Sequence, residues 1–456
     1  MKNIVGFIFI LLFGATVISC EELIEPDFPT HQIGTDQVFN DSQTAYSALS
    51  GLYASLRDNS VLSGNNYGLG SLLGSYTDDL DCYYNDQNGY MDIFTNSIQP
   101  SNGTVLQLWN STYQQIYAAN AIIEGINNSL EIPESDKDSI KGEALFIRSL
   151  LYYWLQQLFN EIPYTDRTDF EYNRTLSKQS KEDLLHDLEN DLNSAQTLLS
   201  SEYRNPERIY PNRQTVQLLL ARISLELGNW SEAEEYANNI LSSPNYSFQQ
   251  DLNEVFHFNS SNIIWQLVPK NNGDATNEAV FYYFTDAPPN AYALSLSLIN
   301  SFQENDLRKT LWTETVQFND MQWMRPYKYK NLSGENINEY SVIFRLEEVY
   351  FIMAEALIRQ NRLDEACYYL NFTRQRAGLS PFQTIDQQEL LGELAKEKRR
   401  EFFTESGMRF ADLKRWNMLQ GLIEVKPNWM NYNRSWPLPQ QEILLNPNLN
   451  PQNEGY

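Results

Sequence analysis

Apolar positions recur at three- and four-residue intervals over long stretches of the chain. In residues 42–57, Ala45, Ala48, Leu49, Leu52, Tyr53 and Leu56 share one face of a 3.6-residue period, which predicts an amphipathic helix. Residues 105–126 repeat the pattern with Leu108, Trp109, Tyr113, Ile116, Asn120 and Ile123, and residues 136–159 do so with Ile140, Ala144, Ile147, Leu151, Leu155 and Leu158. Asn160 follows the last of these, a residue type that accepts left-handed backbone at a helix end.

Two stretches match when laid over each other: ARISLELGNWSEAEEYANNIL from Ala221 and AEALIRQNRLDEACYYLNFTR from Ala354. Gly228 pairs with Asn361, Trp230 with Leu363, Ala233 with Ala366 and Tyr236 with Tyr369. Each stretch reads as a helix, a turn on a residue that tolerates positive φ, and a second helix whose small residues admit the first. That is the grammar of a tetratricopeptide-like hairpin. Between the two, residues 245–340 lose the helical period and gather Pro288, Pro289, Trp312, Trp323, Pro326, Tyr327 and Tyr329. This predicts an irregular lobe on a helical scaffold, the usual place for binding residues.

The N-terminus reads as a targeting signal. Lys2 precedes an apolar run from Ile4 to Val17, the length of a signal-peptide core and short for a membrane span. It ends in Val17, Ile18, Ser19 and Cys20, so residues 1–19 read as a lipoprotein signal peptide and Cys20 as the acylated first residue of the mature protein. Acyl chains there would hold the protein on a membrane that it does not cross. Residues 20–35, with Pro26, Pro29 and Gly34, read as the lipidated tether. Glu21, Glu22 and Glu25 look like an acidic export signal toward the outer leaflet.

Composition narrows the function classes. Fifty-nine acidic against 33 basic residues give a formal charge of −26 in 456 residues, which repels nucleic acid rather than neutralising it. Cys20, Cys82 and Cys367 match no disulfide scaffold or metal-knuckle spacing, and His31, His186 and His257 are scattered.

Five blocks stand out: GEALFIRSLLYYWLQQLFNEIPY from Gly142, FRLEEVYFIMAEAL from Phe344, RQRAGL from Arg374, EKRREFFTESGMRFADLKRW from Glu397, and the ending WPLPQQEILLNPNLNPQNEGY from Trp436. Together they resemble the SusD/RagB family. The likeness covers essentially the whole mature chain, with Asn160 standing where the family usually has glycine. It implies a mostly α, right-handed scaffold of four tetratricopeptide-like hairpins. As one domain, 36–456, this would comprise helical scaffold 36–244 and 341–420, irregular ligand-side lobe 245–340 and closing segment 421–456. It also implies a non-catalytic receptor that faces the cell exterior on the outer membrane, binds glycan and delivers it to a SusC-like TonB-dependent transporter; RagB-type relatives take peptides instead. Read without the resemblance, Glu397, Arg400, Glu401, Arg409, Asp412 and Arg415 predict only a solvated or salt-bridged helix.

Glycan binding needs flat aromatic faces and short polar side chains. Asp79, Asp81, Tyr83, Tyr84, Asn88 and Tyr90 crowd into one segment without helical period, and the lobe offers Tyr282, Tyr283, Tyr292, Trp312 and Trp323. Asp78, Asp79, Asp81 and Asp86 are carboxylates in number enough for a glycosidase pair, but neighbours in sequence point different ways and do not flank a bond by adjacency. The same oxygens would suit a structural calcium ion, although their order departs from helix-loop-helix calcium spacing. No other cofactor is expected.

Overall fold

Side chains of Asp41 and Asn102 start two of the helices that the apolar stripes predict. Asp41 accepts from the backbone N–H of Gln43 and Thr44 at the head of α1 (Ser42–Asn59), and Asn102 accepts from that of Val105 at the head of α3 (Gly103–Asn128). The computed structural model describes residues 38–456 except 86 and 87. The other longer helices are α2 (Leu69–Tyr76), α4 (Glu134–Phe159), α5 (Lys181–Leu198), α6 (Arg213–Leu227), α7 (Trp230–Leu241), α8 (Leu346–Arg359), α9 (Leu363–Arg376), α10 (Gln387–Phe402) and α11 (Met408–Arg415).

Helices α1, α3, α4, α5, α6, α7, α8 and α9 each pack on the next in that order, so four helix pairs stand in a row, and α10 closes against α8 and α9. From Ile140 to Phe159 every residue of α4 but Lys141 is buried, as befits a helix covered on all sides. Its buried charges are paired: Arg148 donates to Asp191 and Asn120, and Glu143 accepts from Arg204 and Tyr53. The two matched hairpins form as their spacing predicts. Gly228 (φ 79°) caps α6 and Asn361 (φ 60°) lies between α8 and α9, while Ala233 and Ala366 are fully buried. Asn160 closes α4 with φ 67°.

The lobe carries most of the strands. β2 (Ile263–Leu267) pairs with β6 (Ser341–Arg345), and β4 (Thr313–Phe318) forms a hairpin with β5 (Met321–Pro326) across Asn319 and Asp320. The third pair is long-range: β1 (Leu80–Cys82), just after α2, pairs antiparallel with β3 (Tyr292–Leu294). The chain end folds back over the scaffold, where Trp436 is fully buried and its N–H donates to the Leu158 carbonyl.

Where lobe meets scaffold, the charges of α10 are ion-paired and buried, so the solvated alternative for this helix does not hold. Arg308, from the lobe, donates to Asp306, Glu397 and Glu401; Arg345 pairs with Glu401 and Glu405; Arg400 spans Glu393 and Glu397. The lobe covers that face of the helix, and in a dry site every guanidinium needs a carboxylate.

Candidate functional site

Strand pairing brings the two aromatic segments of the sequence together. The register Leu80↔Leu294, Asp81↔Ala293, Cys82↔Tyr292 lays the loop after α2 along the lobe, and the Tyr83 N–H donates to the Ala291 carbonyl at 2.8 Å. β3 also runs beside β5, which carries Trp323. Beneath this face Phe284, Ala293 and Val316 form a small buried cluster against which Trp323 packs.

The surface so formed is aromatic. Tyr83 is 38% exposed and Tyr283 is 43% exposed, and Trp323 is half-buried. The Tyr83 hydroxyl lies near the Trp323 indole, and burial and the nearby Asp81 carboxylate push it above the usual phenol range. The Arg325 guanidinium lies 4.6 Å from the centre of the Tyr283 ring and fixes its orientation. Tyr84 stacks on Tyr90 at 4.4 Å and meets Tyr292 edge-on at 5.4 Å, a stack that braces the loop from behind. Asn88 is exposed, and its carbonyl accepts from Thr104 in the first turn of α3.

The acidic residues divide. Asp81 is partly exposed; burial raises its carboxyl and the Lys426 ammonium offsets part of that rise. Lys426 is itself pushed down to about 8 by burial, against the pull of Asp81 and Asp78, and donates to the Ser75 and Phe94 carbonyls. Asp79 faces inward: Arg399 donates to it at 2.8 Å, and burial raises its carboxyl against that pairing. Asp78 is also buried, yet Arg409 and Arg399 hold its carboxyl below the usual range. Both are committed to arginines of the scaffold, so neither stands free as an acid or base toward a ligand. Among the described residues no three His, Cys, Asp or Glu side chains are gathered where they could hold a metal ion.

Four aromatic expectations therefore need correction along with Asp79. Trp312 is 0% exposed, packs on Phe256 at 5.4 Å and donates its indole N–H to the Leu252 carbonyl; it is a core residue of the lobe. Tyr292 and Tyr90 are buried too, one inside β3 and the other under Tyr84. Tyr282, beside exposed Tyr283, also points into the core. The structure brings together Asp81, Tyr83, Trp323 and Tyr283, with Tyr84 and Asn88 at the margin. Arg325 is the member that sequence reading missed. A lone arginine in a strand carries no signal of its own, although its spacing from Trp323 places both on one side of β5. Cys20 lies outside the described residues.

Two family models match the chain: residues 35–225 fit a family described as starch-binding, associating with outer membrane, and residues 314–435 fit the SusD family. The chain belongs to the SusD/RagB family. A SusD-like protein of Formosa agariphila is 25% identical over the whole of this chain and 99% of its own length. The starch-binding protein SusD of Bacteroides thetaiotaomicron is 38% identical over 124 residues, covering 25% of this chain and 21% of its own. Among solved SusD-superfamily structures, one from Bacteroides vulgatus covers 92% of this chain and all of its own at 21% identity, with a TM-score of 0.78. A surface glycan-binding protein of Bacteroides thetaiotaomicron in complex with laminarihexaose covers 91% of this chain and 99% of its own at 17% identity, with a TM-score of 0.76. This chain thus shares its SusD-like fold with both solved structures. Among the described residues, no helix of this SusD-family member is long and apolar enough to cross a membrane.

Proposed function

We propose that this protein is a non-catalytic receptor that binds oligo- or polysaccharide on the face formed by Tyr83, Trp323, Tyr283 and Asp81. The exposed aromatic face carries the reading: two accessible tyrosine rings and a half-buried indole offer stacking surfaces, and Asp81 offers an acceptor for hydroxyls. Relatives named for starch and laminarihexaose binding support the glycan class. Lipidation of Cys20 holds the receptor on the exterior of the outer membrane, and a SusC-like TonB-dependent transporter receives the ligand. The family's description as associating with outer membrane supports the location.

Calorimetric titration of protein beginning at Glu21 against a panel of oligosaccharides and mixed peptides tests this. Binding to one glycan class, weakened by Tyr83→Ala and Trp323→Ala, upholds the reading. Binding to peptides alone replaces it with peptide capture. Detergent partition of the Cys20→Ala variant tests the anchor, which requires loss of the membrane-bound form.

A further inference from the structure

A further opening lies away from the aromatic face. A groove of about 860 Å³ lies on the helical half, floored by α3 and walled by the segment 163–176 and by residues 442–449; no lobe residue lines it. That volume falls within the ~300–1,000 Å³ of small-ligand sites. On α3, Trp109, Tyr113 and Tyr117 recur every fourth residue and form an aromatic ridge, and Asn110 and Gln114 form an amide ridge beside it. Tyr117 is 54% exposed, and Phe170 of the opposite wall is 71% exposed.

The chemistry of these walls favours one kind of occupant. Neither the Asn110 nor the Gln114 amide is hydrogen-bonded within the described residues, and Arg167 and Glu442 add a donor and an acceptor at the walls. An apolar polypeptide segment seated here would strip water from those groups and leave them unmet. A pyranose ring instead presents C–H faces to tyrosine and phenylalanine and hydroxyls at its rim to amides and guanidinium.

We propose that this groove is a second saccharide-binding subsite, which holds another stretch of the polymer bound at the aromatic face. The inference rests on the glycan reading above. Helix α3 fixes the spacing of the two: Asn102 and Thr104 at its head donate to the carbonyls of Gly89 and Asn88, in the loop of the first site. Tyr117 lies about 20 Å farther along the helix axis at 1.5 Å per residue. Two sites at a fixed separation on one body make the second contact intramolecular, so a polymer binds more tightly than its short oligosaccharides.

A polysaccharide microarray, with laminarin and starch among its probes, selects the polymer that the wild-type protein binds, and that polymer and its hexasaccharide are then titrated by calorimetry. The Tyr117→Ala/Phe170→Ala variant alters two mostly exposed rings. It is expected to lose about tenfold or more in polymer affinity while the aromatic face still binds hexasaccharide. In a Tyr83→Ala/Trp323→Ala variant, the polymer is expected to slow hydrogen exchange in residues 109–120 and 163–176. Polymer binding unchanged in the groove variant, with no protection of those segments, overturns the subsite and leaves the first site standing. A wild-type protein that captures no glycan overturns both.

Discussion

Arg308 donates to Glu397 at 2.7 Å, and neither side chain reaches solvent. One residue belongs to the irregular lobe and the other to α10, so the pair closes the junction between the two halves of the molecule. Removing one partner of a buried ion pair leaves the other charged and dry, a loss of about 3–5 kcal/mol. Arg308→Leu strands Asp306 and takes one guanidinium from Glu397 and Glu401, which keep Arg400 and Arg345, and urea denaturation of this variant is expected to show a loss of about that size. An unchanged midpoint would mean that water reaches the network.

Binding and stability separate among the tryptophans. Trp323→Ala and Tyr83→Ala remove stacking surface, and each is expected to weaken glycan binding by about 1 kcal/mol, roughly fivefold in Kd, with little change in melting temperature. Trp312→Ala empties a core position and should lower stability by about 3–5 kcal/mol. Paired calorimetric titrations and melting curves distinguish the two. Trp312→Ala with full stability but no binding would reverse the assignment.

Stability should rise with pH between 7 and 9. Lys414 is buried, donates to the Gln157 carbonyl, and is pushed down to about 7 by burial and by Lys181, with Arg434 acting the same way and Glu226 opposing. Its ordinary value is 10.5. In that window the unfolded chain holds a proton that the folded chain has released, so raising the pH favours the folded state. The sum for this one lysine is about 2 kcal/mol from pH 7 to 9. Lys414→Met is expected to flatten the slope in urea midpoints measured across the range, and an unaltered slope would remove Lys414 as its source.

Gly228→Ala tests the hairpin turn. With φ at 79° the turn after α6 lies where a Cβ is strained, and the variant is expected to lose about 1 kcal/mol in chemical denaturation. Asn361→Gly, at the matching turn, should be neutral or slightly stabilising.

The helical half was legible because its information is local. Gly228 and Asn361 announce their turns, Ala233 and Ala366 their close contacts, and the apolar period places α1, α3 and α4 to within about two residues of their bounds. The site was legible only as composition. Its two segments meet through the pairing of Leu80 with Leu294, a register that no neighbouring residue encodes. Trp312 and Trp323 look equivalent in sequence, and only the third dimension puts Phe256 against one and solvent beside the other. The aromatic ridge Trp109, Tyr113, Tyr117 did leave a trace: these rings flank a stripe already supplied by Leu108, Ile116 and Ile123, more apolar surface than one helix face needs.

The ion-pair network at the lobe has a mechanical meaning. Clamshell receptors release cargo by opening two halves that touch lightly, but here the halves are riveted through Arg308 and Lys328 of the lobe, each buried and held by acceptors on the scaffold. Bending at that seam would expose unpaired charge at every rivet. On the function proposed above, the aromatic face would keep its shape whether loaded or empty, and passing a ligand onward would move the receptor as one piece.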